Sequence, residues 1–300
     1  MKICIWITKI FDLGGTKRVV SLLANELVKE HEVTIMTYED RFREDRTMYH
    51  LSEDINVDFI DNSQFVNKHH TPAFCARYLV KKLNDRSGLF NKKSLNPILA
   101  EAIFPQKTRE KWVEYFNSQD YDVILTTASL SLRLAMIAPR LKAATIGWQH
   151  NCYDGYLHVK PVVFWQQENL LQQYLPNLDR YIVLSDYDKR DYMEKLGIDC
   201  EVKINPRSFV SEKKCDVKSK RFLMATRFVY AKGLDLMMES FEEFCKEDSE
   251  WELDIIGDGD LFDQIRADAK KRHLEKRVHF VGYTNEPEKY YLNSSVFLLP

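Results

Sequence analysis

The 300-residue chain contains 45% hydrophobic and 29% charged residues, the composition of a globular protein, which excludes a disordered chain. Its formal net charge of −2 gives no overall reason to expect a nucleic-acid-binding protein. No segment reaches the roughly 18 apolar residues of a membrane span, and the six scattered cysteines include no C-x-x-C pair, so we expect a cytoplasmic protein in a reducing compartment.

The first 40 residues predict a strand, a helix and a strand. Ile3–Thr8 and Glu32–Tyr38 are continuous apolar runs of strand length. The helix between them has one apolar face, formed by Val19, Leu22, Leu23 and Leu27. Strands that are apolar throughout are typical of a parallel sheet with both faces covered, so the pattern predicts a parallel βαβ unit.

The loop after the first strand contains Gly14 and Gly15, followed by Lys17 and Arg18 at the helix start. Glycines let a backbone come close to a ligand, and a helix start attracts anions. The G-x-G-x-x-G fingerprint of dinucleotide-binding proteins is absent. The alternative interpretation is an ordinary tight turn that needs a positive φ.

Residues 66–115 differ from the rest of the chain in charge. They contain ten lysines and arginines but only four acidic residues, interleaved with aromatic and aliphatic side chains. Such a segment can lie on anionic lipid head groups, which predicts peripheral membrane contact. The alternative is a solvated helical face.

Further strands are predicted at Val57–Ile60, Asp122–Thr126, Ala144–Trp148, Arg180–Leu184 and Val202–Ile204. Helices are predicted at Pro161–Leu175 and at Tyr187–Leu196, the second capped by Ser185-Asp186 and ended by Gly197. His150 directly follows one of these strands, at the edge where ligands of open α/β sheets bind. A histidine there can exchange a proton with a substrate, whereas the alternative is a structural histidine that caps the next element.

A polar stretch from Asn205-Pro206 to Lys220 predicts a linker, and hence domains at 1–205 and 206–300. The second domain repeats the alternation, with strands at 222–226, Leu253–Ile256, Val278–Val281 and Val296–Leu299 and helices at 234–246, Leu261–His273 and Pro287–Asn293. No helix remains to cover the last strand. We therefore expect the native chain to continue past Pro300, or another chain to cover this strand.

The loop between the first strand and helix of the second domain carries Arg227, Lys232 and Gly233. Two cations beside the unpaired N–H groups of a helix start suit a doubly charged group such as a diphosphate. The alternative is a surface connection with two solvated charges.

The next loop, Gly257-Asp258-Gly259-Asp260, also lies between a strand and a helix. Its two aspartates are spaced to hold Mg²⁺ or Mn²⁺ under a nucleotide diphosphate. Asp260 is equally suited to cap the helix at Leu261, and without other carboxylates nearby we favour the cap.

Together these segments resemble the group 1, family 4 retaining glycosyltransferases of the two-domain GT-B type. The matching segments are, in order, Leu13-Gly14-Gly15-Thr16-Lys17-Arg18, His150-Asn151, Val183-Leu184-Ser185, Asn205-Pro206, Arg227 with Lys232-Gly233-Leu234, Ile256-Gly257-Asp258-Gly259 and Phe280-Val281-Gly282-Tyr283. No single match is specific, whereas their order and spacing are. In the family, two glutamates seven residues apart follow the strand that matches Val296–Leu299, and this sequence ends before them.

The resemblance implies two Rossmann-like, doubly wound α/β domains facing a cleft, the second one incomplete here. Arg227 and Lys232 would bind the donor diphosphate, and Gly14 and Gly15 would close over it from the first domain. Gly257, Gly259 and Tyr283 would complete the donor site, the last two near the nucleoside. His150 would lie beside the donor sugar, and no metal cofactor is expected.

The resemblance therefore predicts an enzyme that moves a hexose from a nucleotide-diphosphate sugar, a UDP-sugar by family frequency, with retention. The acceptor would be a cell-surface polysaccharide or a lipid-linked saccharide, used at the inner face of the membrane. The alternative is a non-catalytic nucleotide-sugar-binding subunit of a glycosyltransferase complex.

Overall fold

The computed structural model describes residues 1–39, 41–61, 63, 65, 71–159, 163–284 and 286–299. Residues 66–70 of the basic segment and Pro161, the predicted start of a helix, lie outside the described residues. The chain divides into two compact units, Met1–Ser208 and Phe209–Pro300. No helix in the described ranges is long and apolar enough to cross a membrane.

The first unit contains a seven-stranded parallel sheet with the strand order β3-β2-β1-β4-β5-β6-β7. The strands are β1 (Lys2–Trp6), β2 (Glu32–Thr37), β3 (Asn56–Phe59), β4 (Val123–Thr127), β5 (Ala144–Trp148), β6 (Arg180–Val183) and β7 (Glu201–Val202). The order reverses between β1 and β4, and parallel sheets of this kind bind ligands at such a reversal, outside the carboxyl ends of the strands.

Helices cover both faces of this sheet. They are α1 (Gly15–Leu27), α2 (Pro72–Ser87), α3 (Asn96–Ile103), α4 (Gln106–Ser118), α5 (Ser129–Ile137), α6 (Tyr153–Leu157), α7 (Glu168–Tyr174) and α8 (Asp186–Leu196). Alternate residues of β1 point to opposite faces, so Ile3 and Ile5 pack in one apolar cluster while Cys4 and Trp6 pack in another. This double burial explains why the strand is apolar throughout.

The second unit contains a four-stranded parallel sheet in the order β10-β9-β8-β11. Its elements are β8 (Arg221–Ala225), α9 (Leu234–Glu247), β9 (Glu252–Ile256), α10 (Phe262–Lys271), β10 (Val278–Gly282), α11 (Glu288–Leu292) and β11 (Val296–Phe297). The helical stripe of α9 is confirmed, because Leu234, Met237, Met238 and Phe241 are all buried. The edge strand β11 has only two residues and is exposed.

The predicted alternation of strands and helices is confirmed in both units, with shifts of one or two residues at most ends. The predicted caps of α8 are also confirmed, since the Ser185 hydroxyl accepts the Asp188 N–H at 3.1 Å and Gly197 adopts φ 68°. The helix predicted over Pro161–Leu175 is wrong in its extent. Within the described residues it begins only at Glu168, because residues 163–166 form a turn that packs Phe164 into the core.

Candidate active site

Three loops of the second unit emerge at the same edge of its sheet. Arg227 and Lys232 follow β8, Gly257 and Gly259 follow β9, and Tyr283 follows β10. These three strands are parallel neighbours, so their carboxyl ends lie side by side. The structure therefore brings together all five residues that the sequence assigned to the donor site in this unit.

The loop after β8 is built around the fully buried ring of Phe228. The Val229 N–H donates to the Arg227 carbonyl at 2.9 Å, and the Lys232 N–H donates to the Val229 carbonyl at 3.0 Å. Gly233 then adopts a left-handed conformation with φ 59° at the start of α9. This sequence of turns keeps the loop short and leaves the side chains of Arg227 and Lys232 exposed.

Arg227 and Lys232 form no ion pair with any residue that the structure describes. Arg221, at the other end of β8, instead binds Glu252 and Asp254, the latter at 2.9 Å. One acidic residue, Asp235, lies in the first turn of α9 and interacts with the positive end of that helix. Two exposed cations beside the helix start remain available for an external anion.

Gly257 and Gly259 are required by the contact between the two loops. A Cβ atom on Gly257, at φ 130°, would lie 1.8 Å from the Thr226 carbonyl oxygen, and one on Gly259 would lie 2.7 Å from that of Phe228. The Phe228 N–H donates to the Asp258 carbonyl at 2.9 Å, which holds the loops together. The first role of the two glycines is therefore to let the backbone of one loop approach that of the other, and this contact positions Arg227.

The prediction that Asp260 caps the following helix is wrong. The helix α10 begins at Phe262, Leu261 occupies the cap position, and no side chain caps it. The reason is the backbone: Phe262 donates its N–H to Gly259, and Leu261 donates to Phe228 at 3.0 Å. Within the described ranges, no group of three or more histidine, cysteine or acidic side chains is arranged to hold a metal ion.

Tyr283 lies just past β10, and its side chain is 48% exposed. The preceding Gly282 adopts φ 77° and accepts the Gly257 N–H at 2.9 Å, which joins the loop after β10 to the loop after β9. An exposed aromatic ring at this edge offers a flat surface on which a nucleoside base can stack.

In the first unit, the loop after β1 leads into α1 with Gly14 at the cap position. Two residues that the sequence analysis missed fix this loop: Glu39 is buried and accepts the N–H groups of Ile10 and Phe11, and Tyr49 accepts the Gly14 N–H at 2.8 Å. No acidic residue lies in the first turn of α1. The positive end of this helix therefore has no carboxylate of its own turn beside it.

Gly15 is not required by its own surroundings. It lacks a positive φ, and a Cβ atom built on it would have no neighbour within 4 Å. The alternative of a tight turn that needs a positive φ is therefore wrong for Gly15. Open space beside the first N–H groups of a helix leaves room for a ligand to approach.

His150 follows β5, at the same sheet edge as the loop after β1, with β4 between the two strands. Its ring lies 4.4 Å from that of Trp148, centroid to centroid. Burial lowers the pKa of His150 to about 4, an effect that the Asn205 side chain partly offsets. The imidazole is therefore neutral at pH 7, able to donate one hydrogen bond and accept another.

Both ring nitrogens of His150 are buried, and neither makes a hydrogen bond of normal geometry among the described residues, although the Asn205 side chain lies close to the ring. The Trp148 indole nitrogen is likewise buried without a partner there. Buried polar groups are normally paired, so unpaired ones at a sheet edge indicate a place for a ligand or water. The alternative that His150 caps the next helix is wrong. The Cys152 sulfur caps α6, accepting the Gly155 N–H at 3.3 Å.

Comparison with known proteins matches both units to glycosyltransferase families. Residues 13–208 match the family described as Glycosyltransferase Family 4, and residues 208–300 match the one described as Glycosyl transferases group 1. A glycosyltransferase of Haemophilus influenzae described as uncharacterized is 24% identical over 184 residues, which are 59% of this chain and 50% of that protein.

The alpha-monoglucosyldiacylglycerol synthase of Streptococcus pneumoniae is 22% identical over 224 residues, covering 65% of this chain and 50% of the synthase. The chain thus spans about half the length of these curated relatives. A solved structure of a mutant S. aureus TarM, in complex with fondaparinux, alpha-GlcNAc-glycerol and UDP, is similar with a TM-score of 0.71 at 14% identity. It covers 99% of this chain and 80% of TarM, and at this identity the likeness shows a shared fold.

Proposed function

Because the chain belongs to glycosyltransferase family 4, we propose that its protein transfers a hexose from a UDP-sugar, with retention of anomeric configuration, to a cell-surface polysaccharide or lipid-linked acceptor. The observation that carries this proposal is the pair of exposed cations, Arg227 and Lys232, at a sheet edge where three loops converge. TarM was crystallised with UDP, which supports the choice of nucleotide.

The leaving group explains why two cations are needed. Breaking the bond between the anomeric carbon and the phosphate oxygen places negative charge on the departing diphosphate. Arg227 and Lys232, in the short loop between β8 and α9, stabilise that charge as it develops. Such preorganised donors each contribute about 10²–10³ in rate. Because the cations do what a divalent metal does in other transferases, we propose that transfer needs no metal.

His150 acts on the donor sugar in this proposal. Its neutral imidazole, with both nitrogens unpaired among the described residues, forms hydrogen bonds to sugar hydroxyl groups and fixes the sugar for attack. A neutral partner also suits a sugar that gains positive charge when the glycosidic bond breaks, because an imidazolium would repel it.

Peripheral membrane contact is the last part of the proposal. The helix α2 presents the exposed apolar residues Tyr78, Leu79 and Leu83 beside several lysines and arginines. An apolar face beside a positive one is the pattern of helices that lie on anionic lipids. The pneumococcal relative is named for a glucosyldiacylglycerol, which supports a lipid-linked acceptor. By contrast, Leu99, Phe104 and Trp112 of the same basic segment are buried in the core.

Calorimetric titration of UDP into the full chain tests the donor site. We expect Arg227→Ala and Lys232→Ala each to weaken UDP binding at least about tenfold, the effect of losing one charge-assisted contact. Arg266→Ala, which removes an exposed cation of α10, serves as the control and should bind UDP as the wild type does. Unchanged affinity in both loop variants would contradict the assignment.

A transfer assay distinguishes the enzyme from a non-catalytic binding subunit. We expect UDP to be released from a UDP-hexose in the presence of acceptor. The new glycosidic bond in the product should have the same anomeric configuration as the donor. We also expect EDTA to leave the rate unchanged. UDP binding without turnover would favour the binding subunit, and a rate abolished by EDTA would contradict metal-independent transfer.

A further inference from the structure

A cavity in the first unit lies apart from the residues assigned to the donor and from His150, and it borders the exposed face of α2 through Tyr78. It has a volume of about 230 Å³ and is enclosed by α2, the segment from Ala102 to Trp112, and Arg133 of α5. Its floor includes Trp112, whose ring lies 4.6 Å from that of Trp6, the last residue of β1. The cavity therefore lies near the carboxyl end of β1, the strand that leads to Gly14 and Gly15.

Three cations line this cavity: Arg77 and Lys81, one turn apart on α2, and Arg133. None of them forms an ion pair with a residue that the structure describes. The Arg133 guanidinium is partly buried, lies 5.7 Å from the centre of the Phe104 ring and is near enough to Tyr38 to oppose the rise that burial causes in the pKa of that hydroxyl. A partly buried charge without a carboxylate, facing two further positive charges, is unfavourable unless an anion joins them.

The remaining walls restrict the anion to a group of particular shape. Ile103, Phe104 and Trp112 form an apolar surface, and the Thr108 hydroxyl is already donated to the Phe65 carbonyl at 3.1 Å. The volume is smaller than the roughly 300–1,000 Å³ of sites that enclose a whole drug-sized ligand. The cavity thus suits a compact head group with two or more acceptor oxygens, attached to a part that contacts an apolar wall.

We propose that this cavity binds a phosphate group of the acceptor, a phosphomonoester or phosphodiester carried on a polyol or on a lipid. Arginine and lysine are the residues that bind phosphate oxygens, and three of them converge here. The proposal rests on the proposed function, since it specifies the chemical class of the acceptor. It also gives residues of the basic segment a defined task beyond general attraction to a surface.

Calorimetric titration of sn-glycerol 3-phosphate into the full chain tests this inference. We expect binding to the wild type and a loss of about tenfold or more in affinity for the double variant Arg77→Met/Lys81→Met. The matched control is Lys82→Met/Arg86→Met, which removes the same charge from the same helix at positions outside the cavity lining. Both pairs lie on an accessible helix, so neither change disturbs the core, and Arg133→Met serves as a third variant.

Flotation with phosphatidylglycerol vesicles distinguishes the two possible carriers of the phosphate, a lipid and a polyol. Binding to vesicles that falls in the cavity variant and not in the control supports a lipid acceptor. Binding of glycerol phosphate by a protein that does not bind the vesicles supports a polyol phosphate as the acceptor. Absence of glycerol phosphate binding, or equal losses in the two double variants, would overturn the inference. A parallel titration with UDP reports on the donor site, so failure there is distinguished from failure here.

Discussion

Glycines follow the first strand of the first unit and the second strand of the second unit, but glycine occupies the two positions for different physical reasons. Gly257 has a positive φ and a backbone carbonyl where its Cβ would be, whereas Gly15 has neither. In sequence the two positions look alike, each lying between a parallel strand and a helix. The difference shows that a glycine near a site indicates close approach without saying whether the approaching group is backbone or ligand.

Substituting these two glycines should separate the two reasons, with the largest effect at Gly257. We expect Gly257→Ala to destabilise the second unit by about 3 kcal/mol or more, because Cβ overlaps the Thr226 carbonyl and φ is unfavourable. Gly15→Ala should change the free energy of unfolding by less than about 1 kcal/mol, since alanine favours a helix, yet slow transfer about tenfold or more.

Urea denaturation followed by circular dichroism measures the first effect, and the transfer assay on folded Gly15→Ala measures the second. A Gly15→Ala variant with wild-type transfer would show that no ligand approaches this glycine. A stable Gly257→Ala variant would show instead that the loops after β8 and β9 can separate without cost.

Much of the fold was predictable because the central strands, such as β1, β2, β4 and β9, are mostly buried. In β1, Cys4 and Trp6 lie on one side and Ile3 and Ile5 on the other, and only its first residue, Lys2, is polar. The helix wrongly extended to Pro161 shows the limit. Phe164 is buried because a turn packs it against the core. Over only four residues, the apolar spacing of such a turn cannot be distinguished from that of a helix.

The candidate site was predictable where residue type and position suffice, as for Arg227 and Lys232. It was not predictable where distant residues meet. Glu39 and Tyr49 fix the loop before α1 from about 30 residues away, and Arg133 completes a cavity with α2 from about 50. The predicted cap at Asp260 was wrong for a related reason. The hydrogen bond from the Leu261 N–H to the Phe228 carbonyl places Leu261 at the cap position.

His150 provides a second test of whether a buried residue near the site has a structural or a ligand-related role. We expect His150→Ala to lower kcat about 10²-fold and to change UDP affinity less than threefold, since the imidazole acts on the sugar rather than on the diphosphate. Calorimetry and initial-rate kinetics measure the two quantities. Equal losses in binding and rate would place His150 against the nucleotide, and no loss in either would make its burial purely structural.

The last prediction concerns the stability of the folded protein at acid pH. The pKa of His150 is lowered from the ordinary 6.5 to about 4 in the folded protein because the ring is buried. As pH falls from 6.5 to 4, the unfolded chain therefore takes up a proton that the folded chain does not, and the folded state loses stability by at most about 1.4 kcal/mol per pH unit. The loss is complete below pH 4, and above pH 6.5 this histidine has no effect.

The variant His150→Gln removes this titration while keeping a neutral polar side chain. We expect urea denaturation at pH 6.5 and pH 5 to show a smaller loss of stability for this variant than for the wild type. The contribution of the acidic residues to this loss is the same in both proteins and cancels in the comparison. The rate of wild-type transfer should show no step near pH 6.5, because His150 is already neutral there. A His150 ring resonance that titrates near 6.5 by NMR would mean that the ring is solvated, and its nitrogens would then be paired with water rather than open to a sugar.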